Sequence, residues 1–206
     1  MEIMNPTPNA EGRRAFTIVE LLVVILIIGI LVAFAFPAFQ GVLERAKKVQ
    51  AKNDLTQIVT AVNAFYTEYG KYPLVTADTI YGPGGTSSAD LFYSLRAVAS
   101  GNVVNTRQIV FISPPTVKDT SNPRSGIGND GQFYDPWGTP YAIEIDGNYD
   151  NQITNPYGGS GGAGASPLYQ GVIAWSLGKD KTLGNNGNNI YKASAGVQSD
   201  DVISWQ

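Results

Sequence analysis

A carboxylate inside an apolar segment is the group in this chain with the clearest chemical consequence. Glu20 lies near the start of the run Phe16–Phe36, in which almost every other residue is apolar. A helix of this length rises about 30 Å, which is the thickness of a bilayer core. An unpaired Glu in that core costs on the order of 3 kcal/mol. The sequence therefore predicts that Glu20 meets a cationic partner inside the membrane.

Composition limits the other chemistry that the chain can perform. Its 206 residues include no Cys and no His, which excludes thiol nucleophiles, histidine acid–base catalysis, disulfides and the usual zinc sites. With 14 basic and 17 acidic residues the formal net charge is −3, so no nucleic-acid partner is expected. No nucleophile–base pair stands out, and the sequence predicts a protein that is not an enzyme.

A long helix is the element that positions Glu20. After Pro37 the apolar residues recur at spacings of three and four as far as Tyr69, so one helical face is apolar. Gly70 supplies a stop signal. The pattern predicts a single helix over 16–69, transmembrane over 16–36 and amphipathic beyond it, behind a cytoplasmic leader peptide over 1–15.

Residues 70–206 are expected to form one globular domain of short elements. The candidate elements are a helix over Ser88–Ala99 and strands over Gln108–Ser113, Tyr141–Ile145, Val172–Leu177 and Asp201–Trp205. Alternation of apolar and other residues in the middle two strands indicates half-buried antiparallel strands. We predict an α+β fold in which the long N-terminal helix packs on a small antiparallel sheet with long loops over 147–167 and 184–199.

The residues around Ala15 resemble a known processing signal. The series Arg-Arg-Ala-Phe-Thr-Ile-Val-Glu, with Gly29 and Pro37 further along the apolar run, closely resembles the start of type IV prepilins and pseudopilins. The resemblance implies that a prepilin peptidase cuts between Ala15 and Phe16 and methylates the new amine. It also implies that Glu20 is the assembly carboxylate, which meets the Phe16 amine of a neighbouring subunit. The family usually has Gly before the cut, where this chain has Ala15.

Two other interpretations of the same segment remain. It could be a plain membrane anchor that carries a stray Glu. It could also be an ordinary secretory signal cut after Ala33–Phe34–Ala35, which has the small-x-small form. The length of the apolar run and the presence of Glu20 argue against the secretory signal.

A second motif, Asp135-Pro-Trp-Gly-Thr-Pro-Tyr141, predicts a tight turn that leads into a strand. It also resembles a segment of the major, G-type pseudopilin of type II secretion systems, as do Trp175–Asp180 and Asp200–Trp205. The resemblance implies a structural subunit of a type II secretion pseudopilus, a helical homo-oligomer that drives protein export. Its implied partners are minor pseudopilins, the prepilin peptidase and N-methyltransferase, and the inner-membrane assembly platform. The implied location is a single pass of the bacterial inner membrane with the C-terminal domain in the periplasm.

The same resemblance implies a calcium site near the C-terminus. Its ligands would be the carboxylates of Asp180, Asp200 and Asp201 and the backbone carbonyls of Leu177 and Thr182. Calcium takes about six to eight oxygen ligands, which loops of this composition can supply. In a chain without Cys, the metal would cross-link the loop between Asp180 and Asp200, as a disulfide does in other proteins. Lys181 stands where the family usually has Gly, and a solvated acidic turn is the other interpretation.

A possible second calcium site is suggested by Asp146, Asn148 and Asp150, whose spacing resembles the start of an EF-hand loop. Tyr157 stands where that loop would have its closing Glu. A hairpin turn favours the same residue types. The glycine-rich segment 159–164 lacks the strand and helix of a dinucleotide site, and we interpret it as a flexible loop.

Two other functions are compatible with these features. The chain could be a type IV pilin of a surface pilus that serves adhesion, motility or DNA uptake. It could also be a membrane-tethered, calcium-dependent binding module, in which Glu20 would have no assembly role.

Overall fold

The computed structural model describes residues 16–99 and 104–206, with the backbone alone at 35–38. The predicted leader over 1–15, with Ala15, lies outside the described residues. The chain divides into two compact units, Met1–Glu44 and Arg45–Gln206. A long N-terminal helix and a small antiparallel sheet are both present, which confirms the predicted α+β fold.

Helix α1 extends over Ile18–Tyr69. In the described part of the chain no single helix meets the length and composition expected of a membrane span, although Ile18–Phe34 and Phe39–Tyr69 meet them together. Within the second unit α1 has one fully buried face, as its spacing predicted. The buried residues on this face are Ala51, Leu55, Ile58, Ala61, Val62 and Phe65.

Six strands and a second helix follow α1. They are β1 (Thr79–Tyr81), α2 (Ala89–Leu95), β2 (Gly126–Ile127), β3 (Phe133–Tyr134), β4 (Ala142–Ile145), β5 (Val172–Ser176) and β6 (Val202–Ile203). Strands β1, β4, β5 and β6 form an antiparallel sheet in the order β1-β4-β5-β6, and β2 pairs with β3 in a separate ladder. Side chains alternate between the two faces of a strand. Ile143, Ile145 and Ala174 accordingly join the buried face of α1 in one core.

The second face of the sheet is also covered. Ala142, Ile173 and Trp175 belong to a second buried cluster on this face, together with residues from the two long loops. The loops contribute Ile153, Tyr157, Ala163 and Tyr191. The prediction of half-buried strands was therefore wrong, because every residue of β4 and β5 is buried. Residues of the two long loops thus complete the core on this face of the sheet.

The predicted strand over Gln108–Ser113 is not a strand. Gln108 adopts a left-handed backbone conformation with a φ of 52°. The amides of Phe111 and Ile112 donate to the carbonyl of Leu95 at the end of α2, so they are not available for a sheet. Helix α2 is also shorter than predicted, since Ala97 with a φ of 56° turns the chain away from it. The sequence prediction missed β1, β2 and β3.

Candidate functional site

Glu20 is held by its own helix. Its carboxylate Oε2 accepts hydrogen bonds from the amide and the hydroxyl of Thr17, both at 2.8 Å. The Glu20 amide donates in return to Thr17 Oγ1 at 3.2 Å. This reciprocal arrangement is a capping box, which satisfies otherwise unpaired donors in the first turn. The isolated chain thus gives Glu20 a polar partner.

The helix beyond Glu20 presents apolar side chains that nothing in its unit covers. All described side chains from Phe16 to Phe34 are exposed, including Phe16 at 80% and Ile18 at 84%. An apolar surface of this size requires lipid or another protein chain to cover it. The predicted assembly residue Glu20 therefore lies in the first turn of this exposed helix, and the predicted processing residue Phe16 lies two residues before the helix begins.

The turn that begins at Asp135 is a buried polar junction. Asp135 is fully buried, and its Oδ1 accepts the amides of Trp137, Gly138 and Thr139 at 2.9, 2.7 and 2.9 Å. Its Oδ2 accepts the hydroxyl of Ser176 at 2.6 Å. Burial raises the pKa of Asp135, while these hydrogen bonds oppose that rise. The predicted tight turn is present, and it is fastened to the end of β5.

Three carboxylates meet near the C-terminus. Asp180, Asp200 and Asp201 each offer an oxygen atom, and these atoms lie within 4.8 Å of one another. Backbone amides orient two of the groups. Asp200 Oδ2 accepts from the amides of Lys179 and Asp180, and Asp180 Oδ1 accepts from the amide of Thr182 at 2.9 Å. The sequence-predicted set is therefore brought together, although the two strands that flank it are short.

Asp201 carries the observation that best tests whether a cation fits. It is 3% exposed, and its Oδ2 accepts the hydroxyl of Tyr157 and the amide of Gly184, both at 2.7 Å. Its Oδ1 is buried without a hydrogen-bond partner in the described chain. Such an orphaned group costs about 1–3 kcal/mol. Burial raises the pKa of Asp201 to about 6, against the hydrogen bonds it accepts.

The donor set accordingly fits a hard divalent cation such as calcium. Leu177 is half-buried and packs on the second core cluster, and Thr182 is exposed. Lys181 has a φ of 61°. Within residues 16–99 and 104–206 no ion pair joins Lys181 to these carboxylates.

The segment from Asp146 is a tight loop whose side chains bond to its own backbone. Asp146 Oδ1 and Oδ2 accept the amides of Tyr149 and Asn151 at 2.6 and 2.7 Å. Asn148 Oδ1 accepts the amide of Asp150 at 2.8 Å. These bonds are of the kind that Asp and Asn make in turns. The second predicted calcium site is neither assembled nor excluded by them, and it stays a prediction.

Comparison with known proteins identifies the N-terminal segment. Residues 12–36 match the family described as the prokaryotic N-terminal methylation motif. This match covers Phe16 and the capped start of the exposed helix with Glu20. In this N-terminal segment the chain is similar to type IV pilins and pseudopilins. No solved structure matches it.

The proteins to which this chain is similar include both pilins and a secretion-system protein. The chain is 42% identical over 60 residues to a type IV major pilin of Myxococcus xanthus, which is 29% of this chain and 27% of the relative. It is 37% identical over 69 residues to the type IV major alpha-pilin of Moraxella bovis, which is 34% of this chain and 43% of the relative. It is 34% identical over 63 residues to the type II secretion system core protein G of Escherichia coli, which is 31% of this chain and 43% of the relative. The chain spans less than half the length of each of these relatives.

Sequence reasoning missed three polar residues, Thr17, Lys52 and Glu144. The capping partner of Glu20 had a visible signal, because Thr-Ile-Val-Glu has the Thr-x-x-Glu form of a capping box. Lys52 lies beside the C-terminal backbone, and Glu144 is buried in the middle of a strand. Neither has a local pattern that would reveal it, since both environments are made by residues distant in sequence.

Proposed function

We propose that this chain is a structural subunit of a filament that assembles through its N-terminal helix. The observation that carries the proposal is the exposed apolar helix that has the methylation motif and Glu20 at its start. A subunit with such a helix requires a second environment for it once it leaves the lipid, and the helices of other copies supply one. Repeated head-to-tail contacts of this kind produce helical filaments.

The proposed role of Glu20 is an exchange of partners. Removal of residues 1–15 by a prepilin peptidase would leave Phe16 with a free, then methylated, amine. In the low dielectric of packed helices, an ammonium from a neighbouring copy is a stronger partner for Glu20 than the neutral hydroxyl of Thr17. The amide and hydroxyl bonds of the capping box keep the carboxylate satisfied until that partner arrives.

We propose a type II secretion pseudopilus as the more specific assignment. The filament would extend from the bacterial inner membrane into the periplasm and work with minor pseudopilins and an inner-membrane assembly platform to move cargo outward. The support is the turn at Asp135, which resembles that of the G-type pseudopilin and is fastened to Ser176 in the second resembling segment. A surface pilus is the competing assignment, and the relatives named as pilins favour it.

We further propose that calcium binds at Asp180, Asp200 and Asp201. The support is the buried, unpartnered Oδ1 of Asp201 within a cluster of converging carboxylate oxygens. A bound cation would neutralise this cluster and tie the segment after β5 to the segment before β6. The carbonyls of Leu177 and Thr182 are the proposed further ligands.

The experiment that tests the filament proposal is Glu20→Leu in the full chain, with Val19→Leu as the matched control on the same helix. We expect the control to form filaments and Glu20→Leu to form none, while both keep the thermal unfolding of the globular unit. Mass spectrometry of the mature chain should find a methylated Phe16 at the N-terminus. If Glu20→Leu retained the protein's full activity in its host, the membrane-tethered binding module would replace the filament subunit.

A further inference from the structure

The globular unit has an acidic corner, Asp78 and Glu144, and no ion pair reaches either carboxylate in the described part of the chain. Glu144 lies on β4 opposite Ile80 of β1, and residues directly opposite each other share a face of the sheet. Asp78 directly precedes β1, and its carboxylate accepts from the backbone just beyond the end of β4. Its Oδ1 accepts the amide of Gly147 at 3.2 Å. The corner therefore gathers two carboxylates beside the edge strand.

Glu144 is the unusual member of this pair. It is 6% exposed, and within residues 16–99 and 104–206 no hydrogen bond or ion pair reaches its carboxylate. Burial, and then the charge of Asp78, raise the pKa of Glu144 to about 7. A buried carboxylate with no partner is costly. The corner would be stabilised by a positive charge, and the described residues of the chain supply none there.

The same unit has a groove whose positive charges are also unpaired. The groove has a volume of about 700 Å³ and lies between Gln50 of α1 and the loop 115–125. Lys118 and Arg124 line it, both exposed, and neither has a hydrogen bond or ion pair in the part of the chain described. Asp119 is the one acid in the lining.

The backbone holds this groove in a fixed shape. The amide of Ser125 donates to the carbonyl of Asp135 at 3.0 Å, and the amide of Val117 donates to the carbonyl of Ile127 at 3.0 Å. A Cβ on Gly138 would lie 3.4 Å from Cγ of Arg124, so the Asp135 turn packs closely beneath that side chain. Arg124 is therefore presented to solvent from a rigid base, which lowers the entropy cost of pairing it.

We propose that the cationic groove of one copy, through Arg124 and Lys118, binds the acidic corner Asp78 and Glu144 of the next copy. This inference rests on the proposed filament. A head-to-tail contact joins two different patches of the same chain, so both must be present on every copy and be complementary. The compact unit Arg45–Gln206 carries both the cationic groove and the acidic corner. Its other acidic cluster, Asp180, Asp200 and Asp201, is the one proposed to bind calcium. Arginine suits carboxylate pairs through its planar fork of donors. The contact would fix the register between neighbouring globular units.

Site-directed cross-linking in the full chain tests this contact, and the absence of native Cys makes it unambiguous. The variant Asp78→Cys/Arg124→Cys is treated with a short bis-maleimide in its assembled state, beside the matched control Asp78→Cys/Lys192→Cys. We expect a ladder of dimers and higher oligomers from the first variant and monomers from the control. Each single-cysteine variant should remain monomeric, because the contact joins unlike positions.

Charge reversal gives an independent measurement. Arg124→Glu should reduce filament yield at least about tenfold, because like charges across an interface cost several kcal/mol. Asp78→Arg combined with Arg124→Glu should restore the yield. The thermal unfolding of each variant checks that the globular unit still folds.

The possible results separate the two proposals. Filaments that form normally with Arg124→Glu, together with no ladder from the first cysteine pair, would overturn the contact and leave the filament subunit in place. A second result would also overturn the contact. Arg124→Glu would abolish filaments, while the double charge reversal would not restore them and the first cysteine pair would give no ladder. The groove would then bind a different acidic partner. A wild-type chain that never assembles would overturn both proposals.

Discussion

Lys52 Nζ on α1 lies 2.7 Å from the carbonyl oxygen of Ile203 in β6. The same ammonium donates to the carbonyls of Ser204, at 3.4 Å, and of Gln206. Burial lowers the pKa of Lys52. One helix side chain thus gathers the carbonyls of the last strand and of the residues after it.

Replacement of Lys52 by Met should loosen this C-terminal segment. Three carbonyls lose a charged donor while the aliphatic packing is kept, and we expect the free energy of unfolding to fall by about 1 kcal/mol. Hydrogen exchange of residues 202–206 should accelerate more than that of β4. Arg45→Met, at an exposed position of the same helix, is the control and should leave the exchange of residues 202–206 unchanged. Equal exchange in the two variants would contradict the role given to Lys52.

Asp135→Ala should be among the most destabilising substitutions in the globular unit. It leaves three amides and the hydroxyl of Ser176 without their acceptor in a buried site, and each such loss costs about 1–3 kcal/mol. We expect a fall of about 3 kcal/mol or more in the free energy of unfolding, measured with urea. Ser176→Ala removes one of these donors and should cost about 1 kcal/mol. A larger loss for Ser176→Ala than for Asp135→Ala would show that the junction is not organised by the carboxylate.

Calcium should raise the melting temperature of the unit Arg45–Gln206 by several degrees relative to chelator. A metal that clips a loop of about 20 residues is worth about 3 kcal/mol in chain-entropy terms, and a ligand that binds only the folded state raises the melting temperature. Asp201→Ala should abolish the difference. Asp150→Ala should preserve it if the site near the C-terminus alone is responsible. A shift below about one degree would remove this metal from the proposal.

Glu144→Gln should stabilise the protein at alkaline pH and not at acidic pH. Burial raises the pKa of Glu144 from its ordinary value of 4.5 to about 7, so the folded state binds this proton more tightly than the unfolded state. The stabilisation from the protonated group is complete below pH 4.5 and is lost as the pH rises through 7. Above pH 7 the variant should exceed the wild type by about 1 kcal/mol, since the carboxylate is partly screened by solvent.

The measurement is the difference in the free energy of unfolding between the two chains, as a function of pH. Glu68→Gln removes a surface carboxylate that pairs with Arg107 and should bring no gain above pH 7. A constant difference across the pH range would show that folding does not raise the pKa of Glu144.

The helical part of the fold was predictable because its signals are local. An apolar run, a change to spacings of three and four, and Gly70 define α1 without reference to any other element. The antiparallel strands β4 and β5 were also found from alternation, although each is shorter by one residue than predicted. Local sequence patterns are therefore enough to predict the elements that are long or regular.

The covering of the sheet was not predictable in the same way. Whether Ala142 and Glu144 face solvent depends on Ile153, Tyr157 and Tyr191, which lie in loops without periodicity. Likewise β1 has three residues, and its identity as a strand comes from pairing with β4. The carboxylates of Asp180, Asp200 and Asp201 were grouped by a resemblance, whereas the orphaned Oδ1 of Asp201 follows from burial that only the assembled loops create.

The double-sided burial of the sheet limits where this chain can be altered. Segments rich in Gly and Asn usually tolerate epitope tags and foreign peptides, but here the loops 147–167 and 184–199 carry core side chains such as Ile153 and Tyr191. An insertion beside either residue would open the interior to water. The exposed stretch 194–197, which holds Val197 at 54% exposure, is the position at which a displayed peptide would leave the interior closed.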